Sequence, residues 1–186
     1  MRRWMALGLG LLLGLPAVVG AGELAGVTLP DQVTVAGKTL ELNGMGVRKK
    51  MVIKVYVAGL YLEQAAAEEA AIVGSSSTKR VVMHFLTNMA TKGKMDEAWL
   101  EGFKANSPDS YPALAERVAT FIGFFGDMKD GDEIVLTVSP GTGTTAALNG
   151  EDKGTIAGDD FGDALLKVWL GDHPPSADLK AGLLGK

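Results

Sequence analysis

Arg48, Lys49, Lys50 and Lys54 crowd into one short stretch that runs directly into Tyr56 and Tyr61. A planar guanidinium can hold a carboxylate or a phenolate through two parallel hydrogen bonds, and a tyrosine hydroxyl can add a third. Each such charge-assisted bond contributes roughly 1.5–3 kcal/mol. The residue types therefore describe an anion grip. The alternative is a solvated basic turn. Two features favour the grip: the cluster abuts a β-branched, aromatic segment, and the chain as a whole carries a formal charge of −4.

These side chains need a rigid carrier. Gly44 and Gly46 permit a tight or left-handed turn, which would hold Arg48 on constrained backbone at a strand entrance. From Met51 to Leu62 the residues alternate as a long strand. Alternation places Lys54, Tyr56 and Ala58 on one face, and Ile53, Val55 and Val57 on the other.

Other groupings carry less. Gly141-Thr-Gly143 lacks the lysine and the strand-to-helix context of a phosphate loop and reads as a hairpin approach. His84 and His173 have no partners at metal-ligand spacing, and both read as structural. Glu68-Glu69 reads as a solvated face, and Asp159-Asp160 as a helix cap. The chain has no cysteine, which removes thiolate nucleophiles, thiolate metal sites and disulfides. No metal or other cofactor is expected.

The N-terminus has the grammar of an export signal. Arg2 and Arg3 precede the apolar run Met5 to Val19, and Val19-Gly20-Ala21 forms a small-residue cleavage site. The run is interrupted by Gly8, Gly10, Gly14 and Pro16 and falls short of the ~20 residues of a spanning helix. Residues 1–21 are therefore read as a cleaved signal peptide and 22–186 as a single exported domain, most simply periplasmic, with no stable membrane span. Cleavage takes the formal charge from −4 to −6, since no acid lies within 1–21. Nucleic acid is an unsuitable partner for that surface.

Short strands are expected over 26–29, 32–36 and 38–42, and a further strand over 78–87. Residues 64–73 have helical propensity. Met95, Ala98, Trp99, Gly102 and Phe103 recur at helical spacing, as do Leu114, Val118, Phe121 and Phe125. A strand over 133–139 precedes a hairpin around Asn149-Gly150. Two helices close the chain, one striped by Phe161, Ala164, Leu165, Val168 and Trp169, the other starting near Ser176. Strands segregated from helices argue for an α+β fold.

The segment Gly44 to Glu63 resembles the chalcone isomerase-like family, in which a glycine-flanked arginine precedes a strand of form K-x-x-x-x-G-x-Y-L-E. Here that strand reads Lys54-Val-Tyr-Val-Ala-Gly59-Leu-Tyr61-Leu62-Glu63. Thr91-Lys-Gly-Lys94, Gly131-Asp132 and Leu165-Leu-Lys-Val-Trp-Leu-Gly-Asp172 echo later blocks in the same order. The resemblance implies an open-faced β-sandwich, a large antiparallel sheet packed against a layer of α-helices. In the plant enzymes of the family the arginine holds a substrate phenolate during ring closure, aided by a strand threonine and by further polar groups on helices. This chain keeps the arginine as Arg48 and has Tyr56 at the threonine position. Asp96, Phe103 and Val168 fall near the remaining polar positions, so most groups that orient a flavonoid are replaced. A second branch, in plastids, binds fatty acids, gripping the carboxylate with an arginine and a tyrosine that Arg48 and Tyr56 match.

The resulting expectation is a non-catalytic periplasmic protein binding a fatty acid or similar small amphipathic carboxylate through Arg48 and Tyr56, with Lys54 nearby. Trp99, Phe103 and Trp169 would partly line the cavity. The alternative is an isomerase, an intramolecular lyase acting on a phenolic or enone substrate, with Arg48 and Tyr56 as its catalytic groups. A structural envelope protein with a filled interior is the third reading.

Overall fold

The computed structural model describes residues 21–186; the expected export signal lies outside the described residues but for its last position. Strands β1 (Ala21–Leu24) and β2 (Val27–Pro30) pair as a separate hairpin. Seven further strands form one antiparallel sheet in chain order: β3 (Gln32–Val35), β4 (Lys38–Lys50), β5 (Ile53–Leu62), β6 (Lys79–Phe85), β7 (Glu133–Ser139), β8 (Gly143–Leu148) and β9 (Glu151–Ile156). Between β5 and β6 lies the short α1 (Glu69–Val73), and between β6 and β7 lie α2 (Lys92–Asn106) and α3 (Tyr111–Ile122). The chain ends in α4 (Asp159–Leu170) and α5 (Ala177–Leu183). This curled sheet with helices packed on it is the α+β, open-faced architecture expected from the sequence.

Pleating gives the sheet two different faces. Ala58, Leu60 and Leu62 of β5, with Val81, Met83 and Phe85 of β6, face the helices. There they meet an aromatic cluster in which the Trp99 ring lies 5.1 Å from Phe121 and 5.5 Å from Trp169, both edge-on. Val57, Tyr61 and Val82 face the other way and pack with Val27 and Leu29 of the β1–β2 hairpin. Local chemistry sets several junctions. Asn149 and Gly150 take positive φ of 52° and 80° in the β8–β9 turn, as a two-residue hairpin loop requires. Ser176 accepts the Leu179 N–H at 3.2 Å and caps α5. At α4 the capping position falls to Gly158, and Asp159 and Asp160 enter the first turn instead. Asp160 there holds the Arg117 guanidinium by two bonds of 2.8 and 2.6 Å.

The glycine hinge before Arg48 is not formed. β4 runs unbroken from Lys38 to Lys50, and neither Gly44 nor Gly46 has a positive φ. Their smallness serves another purpose: α5 lies backbone-close across β4. A Cβ on Gly46 would stand 2.7 Å from the Leu179 carbonyl oxygen, and one on Gly44 would overlap the Gly182 carbonyl. A strand glycine here marks the close approach of another backbone. The reversal comes later, at Met51, whose φ is 56°.

Candidate functional site

Where the β4–β5 hairpin passes beneath the C-terminal helices, the sheet and helices leave a cavity of about 730 Å³. That lies inside the roughly 300–1,000 Å³ of small-molecule sites. Arg48 and Tyr56 both line it. They are directly opposed residues of β4 and β5, so a shared face follows from antiparallel pairing.

The register shifts at this point. Arg48 opposes Tyr56, and the next pair is Lys49 with Lys54, so Val55 has no opposite partner and forms a β-bulge. The extra residue resets the alternation of β5. Ile53, Val55 and Tyr56 consequently all line the cavity, whereas Lys54 is exposed and does not. Lys54 and Tyr56 thus do not share a face, contrary to the period-2 reading, because that reading assumes an unbulged strand. Tyr61 is likewise remote from the cavity, on the face that packs beneath the β1–β2 hairpin, where its hydroxyl donates to the Pro30 carbonyl at 2.9 Å.

Arg48 is half-buried and aimed. Its Nη1 donates to the Lys49 carbonyl at 2.6 Å and to the Pro175 carbonyl at 3.0 Å. The Pro175 carbonyl is in reach because Gly44 and Gly46 admit α5 and its leading segment close to β4. No hydrogen bond among the described residues engages Nε or Nη2, which leaves the two-pronged edge of the guanidinium for an anion.

Tyr56 is positioned by α4. The helical stripe turns Trp169 toward the sheet, and its indole Nε1–H donates to the Tyr56 hydroxyl at 3.1 Å. Burial pushes the Tyr56 phenol above its ordinary range, while the Trp169 bond and the Arg48 charge pull the other way. Tyr56 therefore stays a neutral phenol at physiological pH. Its oxygen accepts from Trp169, and the hydrogen bonds among the described residues give its proton no acceptor. Two unengaged donors, one of them cationic, thus converge on one cavity.

The remaining walls are mostly apolar: Val55, Met83, Met95, Ala98, Trp99 and Val168. Methionine is unbranched and polarizable, so these walls can adapt to a flexible chain. Of the aromatic residues expected at the cavity, Trp99 and Trp169 line it, whereas Phe103 is wholly within the core. His173 stands at the cavity with Lys50, Lys94, Glu101 and Asp172. The methionines and the Pro175 carbonyl were not legible as site groups, since nothing local marks a methionine as wall or a carbonyl as acceptor.

A second cavity, of about 190 Å³, brings Lys79 together with Asp159 and Asp163. Lys79 is 1% exposed and donates to the Ser75 carbonyl at 2.5 Å, so this cation is already answered within the fold. Among the described residues no cluster of three or more His, Asp or Glu side chains suits a metal ion, and no helix is long and apolar enough to cross a membrane.

The family model for chalcone isomerase-like proteins matches residues 21–185. A solved structure of a fatty-acid binding protein from Arabidopsis thaliana superposes with a TM-score of 0.69 at 16% identity, covering 89% of this chain and 96% of that one. At that identity the likeness is one of fold. No curated protein matches the sequence.

Proposed function

Since the chain belongs to the chalcone isomerase-like family, we propose that it is a non-catalytic binding protein for a fatty acid or similar amphipathic carboxylate. The observation that carries this reading is the pairing of unengaged donors on Arg48 and Tyr56 with a mostly apolar cavity whose other charged groups stand at its mouth. An ionised carboxylate accepts two bonds from the Arg48 edge and one from the Tyr56 hydroxyl. Its tail lies along Val55, Met83, Met95 and Val168. Trp169 and the Pro175 carbonyl hold the two donors in place before the ligand arrives, which lowers the ordering cost of binding. The fatty-acid binding protein of the same fold supports this class of ligand. The export grammar of residues 1–21 supports action in a periplasm.

Mass spectrometry of the material extracted from purified protein is expected to identify an acyl acid. Arg48→Ala is expected to weaken acyl-acid binding about tenfold or more, the loss of one charge-assisted contact set. Unchanged affinity in that variant would overturn the assignment. Turnover of a chalcone that disappears with Arg48→Ala would replace it with the isomerase reading.

A further inference from the structure

The β4–β5 hairpin carries a tip that the fold leaves uncovered, at the mouth of the large cavity. Met51 and Val52 are 93% and 95% exposed, and Met89 is 52% exposed; these are the exposed large hydrophobic side chains among the described residues. Met51 and Met89 both line the cavity and mark its rim, and Val52 stands beside Met51 at the hairpin tip. Lys49, Lys50 and Lys54 flank the tip and are themselves exposed. Lys94 adds a fourth amine, its Nζ bound to the Met89 carbonyl at 3.1 Å. From Leu42 to Leu62 the chain has Arg48 and these three hairpin lysines and no acidic residue, although the whole molecule is net negative. The acids of the mouth, Glu101 and Asp172, belong to α2 and to the segment after α4.

We infer that this hairpin tip docks on an anionic lipid bilayer, with Met51 and Val52 entering the headgroup boundary and the lysines meeting lipid phosphates. Apolar side chains at a basic tip are the combination that interfacial binding uses. A protein partner would need roughly 800 Å² from each side for a stable interface, far more than a two-residue apolar tip presents. A fluid bilayer sets no such requirement. Docking in this orientation turns the cavity mouth toward the membrane, so an amphipathic acid can pass between bilayer and cavity without crossing open water. The inference rests on the acyl-acid reading for its purpose, though the docking itself does not depend on it.

The absence of native cysteine permits a single labelled site. Val52→Cys, carrying an environment-sensitive nitrobenzoxadiazole dye, is titrated with phosphatidylcholine vesicles containing phosphatidylglycerol. Blue-shifted, several-fold brighter emission is expected, and the same dye at Thr142→Cys in the β7–β8 turn, at the opposite end of the strands, is expected to stay at its aqueous value. Adding Lys49→Glu is expected to raise the lipid concentration at the midpoint about tenfold or more, since each cation near such a surface contributes roughly a fivefold factor. Pure phosphatidylcholine, which withdraws the contribution of every lysine at once, should raise it further. Aqueous emission from position 52 on anionic vesicles, or a midpoint that ignores Lys49→Glu, overturns the docking. Tyr56→Phe separates the two readings: it weakens acyl-acid binding and leaves the vesicle midpoint where it was. A docked protein that binds no acyl acid would keep the docking and remove the ligand assignment.

Discussion

Tyr56 and Tyr61 stand on the same strand, both are buried, and their hydroxyls are used in opposite senses. Tyr61 donates its proton to the Pro30 carbonyl and thereby ties β5 to the β1–β2 hairpin. Tyr56 accepts from Trp169 and keeps its proton, next to an arginine with a free edge. One end of β5 is closed by the fold; the other is left open to a ligand. A buried hydroxyl whose proton is already bonded stabilises the fold, whereas one held by its oxygen alone is set to donate outward. The β-bulge at Val55 sharpens the contrast, because it brings Val55 onto the same cavity wall as Tyr56 and sends Lys54 away.

The severest way to break this contrast is to disturb what shapes the open end. Gly44→Val places bulk where the Gly182 and Leu183 carbonyls lie and should lift α5, with the Pro175 segment, away from β4. A loss of roughly 3 kcal/mol in urea unfolding is expected from that overpacking. A midpoint equal to that of the unsubstituted protein would show that α5 does not depend on a bare β4. The two tyrosines provide a milder test. Tyr56→Phe is expected to weaken acyl-acid binding about tenfold, and Tyr61→Phe to cost about 1–2 kcal/mol of stability with affinity unchanged. Calorimetry of both variants with a fatty acid checks the pair; equal effects on affinity would erase the distinction.

The effect confined to the narrowest range of conditions is in alkaline stability. Burial, with the nearby Glu133 charge adding to it, pushes the Tyr61 phenol up to about 12 from its ordinary 10.0. A group whose folded value is raised stabilises fully below its unfolded value and loses that contribution as pH rises through the folded one. Stability should therefore fall between pH 10 and about 12, as the unfolded chain ionises first. Tyr61→Phe should flatten part of that fall in thermal scans; an unaltered slope would place its cause elsewhere.

Much of this was legible in the chain because it depends on neighbours in sequence. The stripe Leu114, Val118, Phe121 announces α3, Asn149-Gly150 announces a hairpin, and Ser176 announces the start of α5, each through a local backbone preference. Arg48 and Tyr56 were also identifiable as types suited to an anion. Lys54 was misplaced because a bulge costs one residue of register and carries no reliable local mark. Asp159 and Asp160 lie one and two positions inside the helix rather than at its cap, since Gly158 takes the φ of 99° at the capping position.

Residue type alone determined which groups can meet an anion: a guanidinium and a phenol, in a cysteine-free chain of net negative charge. Only the tertiary structure decided that they meet one cavity with donors to spare. Arg48 is aimed by a carbonyl 127 residues away, and Tyr56 is held by an indole 113 residues away. Gly44 and Gly46 look like a turn in isolation and become a landing surface only when α5 arrives. Contacts of that kind form when distant segments pack, and a period or a motif reports only on segments that are already adjacent.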